Sequence, residues 1–122
     1  LQMGLDMYAY TTDVGIFGAG FPCPENATQI GRWRKHPNLH GWMEELYLEK
    51  GGDKLFNCEC VRLDAKDIDA LEEAVYEDAL PETSGFFFGE SRPEDKADDV
   101  LFIQNARKAL AEGLNVFYTS WW

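Results

Sequence analysis

The last seven residues, Val116-Phe117-Tyr118-Thr119-Ser120-Trp121-Trp122, are β-branched or aromatic at every position but Ser120. A run of this kind fits a half-buried pleated surface, so it predicts a strand pinned in a sheet and not a frayed end. A sheet needs a cover, and the rest of the chain offers one. Leu39, Trp42, Met43, Leu46 and Tyr47 recur at helical spacing behind His36-Pro37-Asn38, predicting a helix to about Lys50 that Gly51-Gly52 stops. Asp64 reads as the cap of a second helix, with Asp67 and Asp69 in its first turn and Ile68, Leu71, Val75 and Ala79 on its apolar stripe, ended by Pro81. A third helix starts within Ser91 to Glu94 and runs to Gly113.

Two further strands are expected. Gly4 to Tyr10 sets Leu5, Met7 and Ala9 against Asp6, Tyr8 and Tyr10, the two-residue period of a strand, and Leu55 to Leu63 repeats it with mixed faces. Between Thr11 and Gly31 the glycines 15, 18 and 20 and the prolines 22 and 24 break every period, so a long loop or weak hairpin is expected, with room for a short strand at Gly15 to Phe17. Phe86-Phe87-Phe88 reads as core or strand edge. Strands at both ends and in the middle with helices between them define an α+β fold, a small single sheet packed by about three helices, with the strand order open.

A hydrophobic fraction of 45% and an aromatic fraction of 14% exclude a disordered chain. The most apolar stretch, Val14 to Phe21, is too short and too rich in glycine to span a bilayer. Leu1 and Gln2 read as a remnant ahead of Met3, and residues 3–122 as a single domain. No basic lead-in or long apolar segment follows Met3, so no export signal is expected. Cys58-Glu59-Cys60 is a poor disulfide pair, and with three cysteines the expectation is reduced thiols in the cytoplasm.

The formal net charge of −11 argues against a nucleic-acid backbone or an anionic membrane and favours a basic protein partner. Residues 64–99 hold 13 acidic side chains against Lys66, Arg92 and Lys96. This run reads either as the solvated faces of two helices or as an acidic docking surface centred on Asp69, Glu72, Glu73, Glu77 and Asp78. Against it stands a basic island, Arg32-Trp33-Arg34-Lys35-His36, at a helix start where free N–H groups favour an anion. The alternative there is an internal ion-pair cluster. His36 and His40 with Cys58 and Cys60 lack the usual zinc spacing, so His40 reads more readily as a hydrogen-bonded residue at the edge of the core, and no metal, cofactor or catalytic set is expected. No Gly-Lys-Ser/Thr loop or dinucleotide fingerprint follows Gly15 to Gly20, so no kinase site is expected.

Four segments together resemble a family of small phage and prophage proteins of unknown function: Met3-Gly4-Leu5-Asp6-Met7-Tyr8; Trp33-Arg34-Lys35-His36-Pro37-Asn38-Leu39-His40-Gly41-Trp42; Ser84-Gly85-Phe86-Phe87-Phe88-Gly89; and the closing aromatic strand. Some members carry the label phosphoglycerate kinase, an enzyme that needs two large lobes. Gly31-Arg32 stands here where that family commonly has a tyrosine before the tryptophan. The resemblance implies a phage origin and a life in the cytoplasm of the infected bacterial host. The leading expectation is a non-enzymatic accessory protein whose acidic face binds a basic host factor, with a homodimer possible through the aromatic terminus. The alternative is a binder or hydrolase of a phosphorylated or nucleotide compound, with Arg32, Trp33, Arg34, Lys35, His36, Asn38, His40, Ser120 and Trp121 as ligand-binding residues.

Overall fold

The computed structural model describes residues 4–85 and 89–122, so the Phe86-Phe87-Phe88 expectation lies outside the described residues. Four strands, β1 (Asp6–Thr12), β2 (Thr28–Arg34), β3 (Cys60–Leu63) and β4 (Asn115–Trp121), form one sheet in the order β2-β1-β4-β3, and every neighbouring pair is antiparallel. Three helices, α1 (Pro37–Glu49), α2 (Ala65–Tyr76) and α3 (Asp95–Ala111), make the second layer. This is the small α+β fold expected from the alternation of strand and helix periods.

Alternation along the strands sorts the side chains. Met7, Ala9, Trp33, Val61, Leu63, Val116 and Tyr118 join the helix stripes, among them Leu39, Met43, Ile68, Leu71 and Phe102, in one buried core. The opposite face carries Tyr10, Cys60 and Phe117, and there Ile16, Phe21 and Ala27 from the long loop pack onto it as a second, smaller cluster. That loop also runs along the outer edge of β3, with Gly20 N–H donating to Cys60 O at 2.8 Å and Arg62 N–H to Gly18 O at 2.9 Å.

Helix ends follow local chemistry. Asp64 and Asp67 form a reciprocal capping box at the start of α2, in which each side chain accepts the other's backbone N–H. Each of the three helices closes with the paired bonds of a Schellman turn; after α3 these run from Gly113 N–H to Leu110 O and from Leu114 N–H to Ala109 O, with Gly113 at φ +82°.

Several expectations are corrected. β2 lies largely inside the stretch expected to be a loop up to Gly31, and the anticipated strand at Gly15 to Phe17 is replaced by one bridge between Ala19 and Val61. Only Trp33 of β2 is buried, because β2 is an edge strand, so its sequence shows no apolar alternation. The strand expected over Leu55 to Leu63 shrinks to β3: Leu55 is exposed and Cys58 takes a left-handed φ of +63°. α2 stops at Tyr76, short of Pro81, and α3 begins at Asp95 after a turn at Arg92 to Glu94.

The thiols are not all reduced. Cys23 and Cys60 form a disulfide, leaving Cys58 as the exposed free cysteine. The expectation of reduced thiols is overturned because folding brings Cys60 beside Cys23, a partner 37 residues away in the chain. No helix among the described residues is long and apolar enough to cross a membrane.

Candidate functional site

Of the sequence-predicted ligand-binding residues, Trp33 to His36 and Asn38 surround the junction where β2 turns into α1, and the partners of the whole set divide it into three settings. The turn itself is made by Lys35, which holds a left-handed φ of +57° and donates its N–H to Leu5 O at 2.8 Å. A non-glycine residue in that region is strained, and the flanking sheet bond holds it there.

The first setting is a buried polar network inside the junction. His36, 3% exposed, places Nδ1 2.7 Å from Ser91 Oγ and Nε2 3.0 Å from Asp99 Oδ2. Trp33 Nε1–H donates to the other Asp99 oxygen at 3.0 Å, and the Trp33 ring meets Phe102 edge-on. Ser91 Oγ also accepts the Asn38 N–H at 3.1 Å, supplying the cap that His36 itself does not give to α1. Asn38 Oδ1 accepts the Thr83 N–H, and Asp95, also buried, accepts the Arg92 N–H and lies 3.6 Å from His36 Nδ1. A cavity of about 500 Å³ opens on this network, lined in part by His36, Ser91, Arg92, Lys96 and Asp99.

The second setting is a cationic cleft of about 290 Å³ lined by Arg34, Lys35, Glu90 and Arg92. Arg34 reaches Asp6 at 3.2 Å, so β1 anchors one of its walls.

The third setting holds residues that the fold directs elsewhere. His40 is in the core, with Nδ1 2.8 Å from the Tyr118 hydroxyl and its ring stacked on Phe56. Burial lowers its pKa to about 4 and raises that of the Tyr118 phenol well above the ordinary value, so a neutral imidazole shares this hydrogen bond with a neutral phenol. Ser120 is buried on the helix-facing side of β4, opposite Met7. Arg32 and Trp121 face the other side of the sheet, Arg32 lying 6.0 Å from the Tyr8 ring centre and Trp121 standing 54% exposed. Trp33, Arg34, Asn38, His40, Ser120 and Trp121 therefore serve separate settings.

Sequence reasoning missed Ser91, Asp95 and Asp99. The two aspartates were counted in the acidic surface run, but both are buried on α3. Their four-residue spacing puts them on one helix face, the one signal that was present. The acidic face itself is partly neutralised: Arg107 donates to Asp69 at 2.8 Å and to Glu72 at 3.0 Å, and Lys96 pairs with Asp78 at 3.2 Å. Hydrogen bonding to Asp69 leads the causes that raise the Arg107 pKa. Glu73 and Glu77 have no ion pair among the described residues.

Among the described residues no group of three or more His, Cys, Asp or Glu side chains is placed to hold a metal ion, and Cys60 is committed to its disulfide. No protein-family profile, curated protein or solved structure matches the chain.

Proposed function

We propose that this chain is a phage accessory protein that binds a small anionic compound, phosphorylated or nucleotide-like, in the cleft beside the β2–α1 junction. The observation that carries the reading is the convergence of Arg34, Lys35 and Arg92 on one cleft in a chain of net charge −11. Arg92 arrives from a segment more than fifty residues away, so the cluster is a product of folding and not of the basic island alone. Guanidinium groups match phosphate and carboxylate oxygens in two-point geometry, and the lysine adds a point charge. Thermal unfolding with inorganic phosphate, pyrophosphate and a nucleoside monophosphate tests it. Pyrophosphate should raise Tm, and Lys35→Ala and Arg92→Ala should each abolish the rise. No shift with any of the three anions would remove the reading.

A second reading, an acidic surface for a basic host protein, is favoured by one feature of α2. Tyr76 is 56% exposed beside the unpaired Glu73 and Glu77, so an aromatic anchor sits within the negative patch. Reversing Glu73 and Glu77 to lysine leaves the Arg107 pairs in place. It should abolish capture of basic host protein from infected cells, and unchanged capture would sink this reading.

The place of action is proposed as the cytoplasm of the infected bacterium, where the Cys23–Cys60 bond is exposed to reduction. Alkylation of protein taken directly from cells reports it: modified Cys23 and Cys60 fit the cytoplasm, and protected ones point to an oxidising compartment.

A further inference from the structure

We propose that Ser91, His36 and Asp99 form a nucleophile–base–acid relay that hydrolyses carboxylic esters carrying an anionic group. The geometry points to the chemistry before the substrate does. Ser91 Oγ lies 2.7 Å from His36 Nδ1, and His36 Nε2 lies 3.0 Å from Asp99 Oδ2, two successive hydrogen bonds in line through one imidazole. Asp99 is in turn fixed by Trp33 Nε1–H on its second oxygen. An Nε2–H held by that carboxylate leaves Nδ1 as the acceptor for the Ser91 hydroxyl. The ring is turned over relative to the commonest serine triads, but the roles are defined by geometry and not by atom name.

The nucleophile is also reachable. Ser91 is half-buried and lines both the cavity holding Arg92 and Lys96 and a neighbouring cavity of about 450 Å³. Its oxygen accepts one backbone N–H, from Asn38, and keeps a second lone pair for attack. The strained Lys35 sets the direction in which His36 enters the interior.

Ser91 Oγ attacks the ester carbonyl carbon as its proton passes to His36 Nδ1. The tetrahedral oxyanion collapses, and the alcohol leaves with the proton from His36, giving acyl-Ser91. Water then attacks the acyl carbon, gives its proton to His36, and the carboxylic acid departs as Ser91 regains its hydrogen. Arg92, which lines the same cavity as Ser91 with its guanidinium 3.5 Å from Asp95 Oδ1, is the cation assigned to the developing oxyanion. The preference for an anionic ester rests on the cationic-cleft reading; the reactivity of Ser91 does not.

The test is labelling of the native protein with a fluorophosphonate probe, with the site mapped by peptide mass spectrometry. Ser91 should be labelled, and Ser91→Ala should lose the label while retaining its circular dichroism. Asp99 is a positioning residue: Asp99→Asn should lower kcat for p-nitrophenyl acetate by about a hundredfold or more with KM unchanged. Absence of label on wild-type protein, or label that persists in Ser91→Ala, overturns the relay. The anionic half-ester mono-p-nitrophenyl succinate should be hydrolysed faster than the neutral acetate, and Lys35→Ala should remove that advantage. Equal rates with a labelled Ser91 overturn the anionic preference and the cleft reading together, and leave the relay standing.

Discussion

His40 shows how one side chain ties packing to solution behaviour. Its ring is stacked on Phe56 and hydrogen-bonded to Tyr118, and burial lowers its pKa from 6.5 to about 4. The unfolded chain protonates this histidine below about pH 6.5, while the folded chain resists down to about pH 4. In that window the unfolded state binds the extra proton, so stability is full above it and falls as the pH drops through it. Urea unfolding at pH 7.5 and at pH 5 should differ by about 2 kcal/mol from this group, and His40→Gln should flatten that part of the profile. An unchanged difference in the variant would mean that other groups carry the dependence. The histidine was legible both as a candidate ligand and as a hydrogen-bonded residue at the core edge; its partners Phe56 and Tyr118 were not, because they are far off in sequence.

Elements were legible where their signals are local. The apolar stripe of α1, the Ile68, Leu71 and Val75 part of the α2 stripe, the Asp64 cap and the stop at Gly113 all depend on residues within two turns of one another, and each appears in the structure, whereas Ala79, expected on the α2 stripe, lies beyond the helix and is exposed. The end of α2 was misplaced because its left-handed closing residue is Asp78, at φ +54°, and not the glycine that usually marks such a turn. Ala79 N–H to Ala74 O and Asp78 N–H to Val75 O complete the same bond pair that closes α3 at Gly113. Asp78→Gly should therefore raise stability by about 0.5–1 kcal/mol, since it relieves the left-handed strain and loses only an exposed pair with Lys96. A lower denaturation midpoint for this variant would contradict it. β2 was illegible for another reason: an edge strand with one buried side chain and a register shift opposite Ala9 and Tyr10 carries no two-residue period.

In the whole molecule the sheet is covered on both faces, by helices on one side and by part of the residue 13–27 loop on the other. The Cys23–Cys60 bond ties that loop to β3 across 37 residues of chain, and by loop-closure entropy it contributes about 4 kcal/mol. Reduction, or Cys23→Ser, should lower Tm substantially and expose Phe117 and Tyr10 to solvent, which tyrosine fluorescence and hydrogen exchange would register. An unchanged Tm would show that the apolar contacts of Ile16 and Phe21 hold the loop alone. The period, caps and composition were enough to determine an α+β chain with three helices and strands at both ends, because these preferences are written within a few neighbouring residues. Tertiary structure alone decided the strand order, the pairing of Cys23 with Cys60, and the meeting of Ser91, His36 and Asp99. Those depend on which distant segments become neighbours, and no local period encodes a distance across the fold.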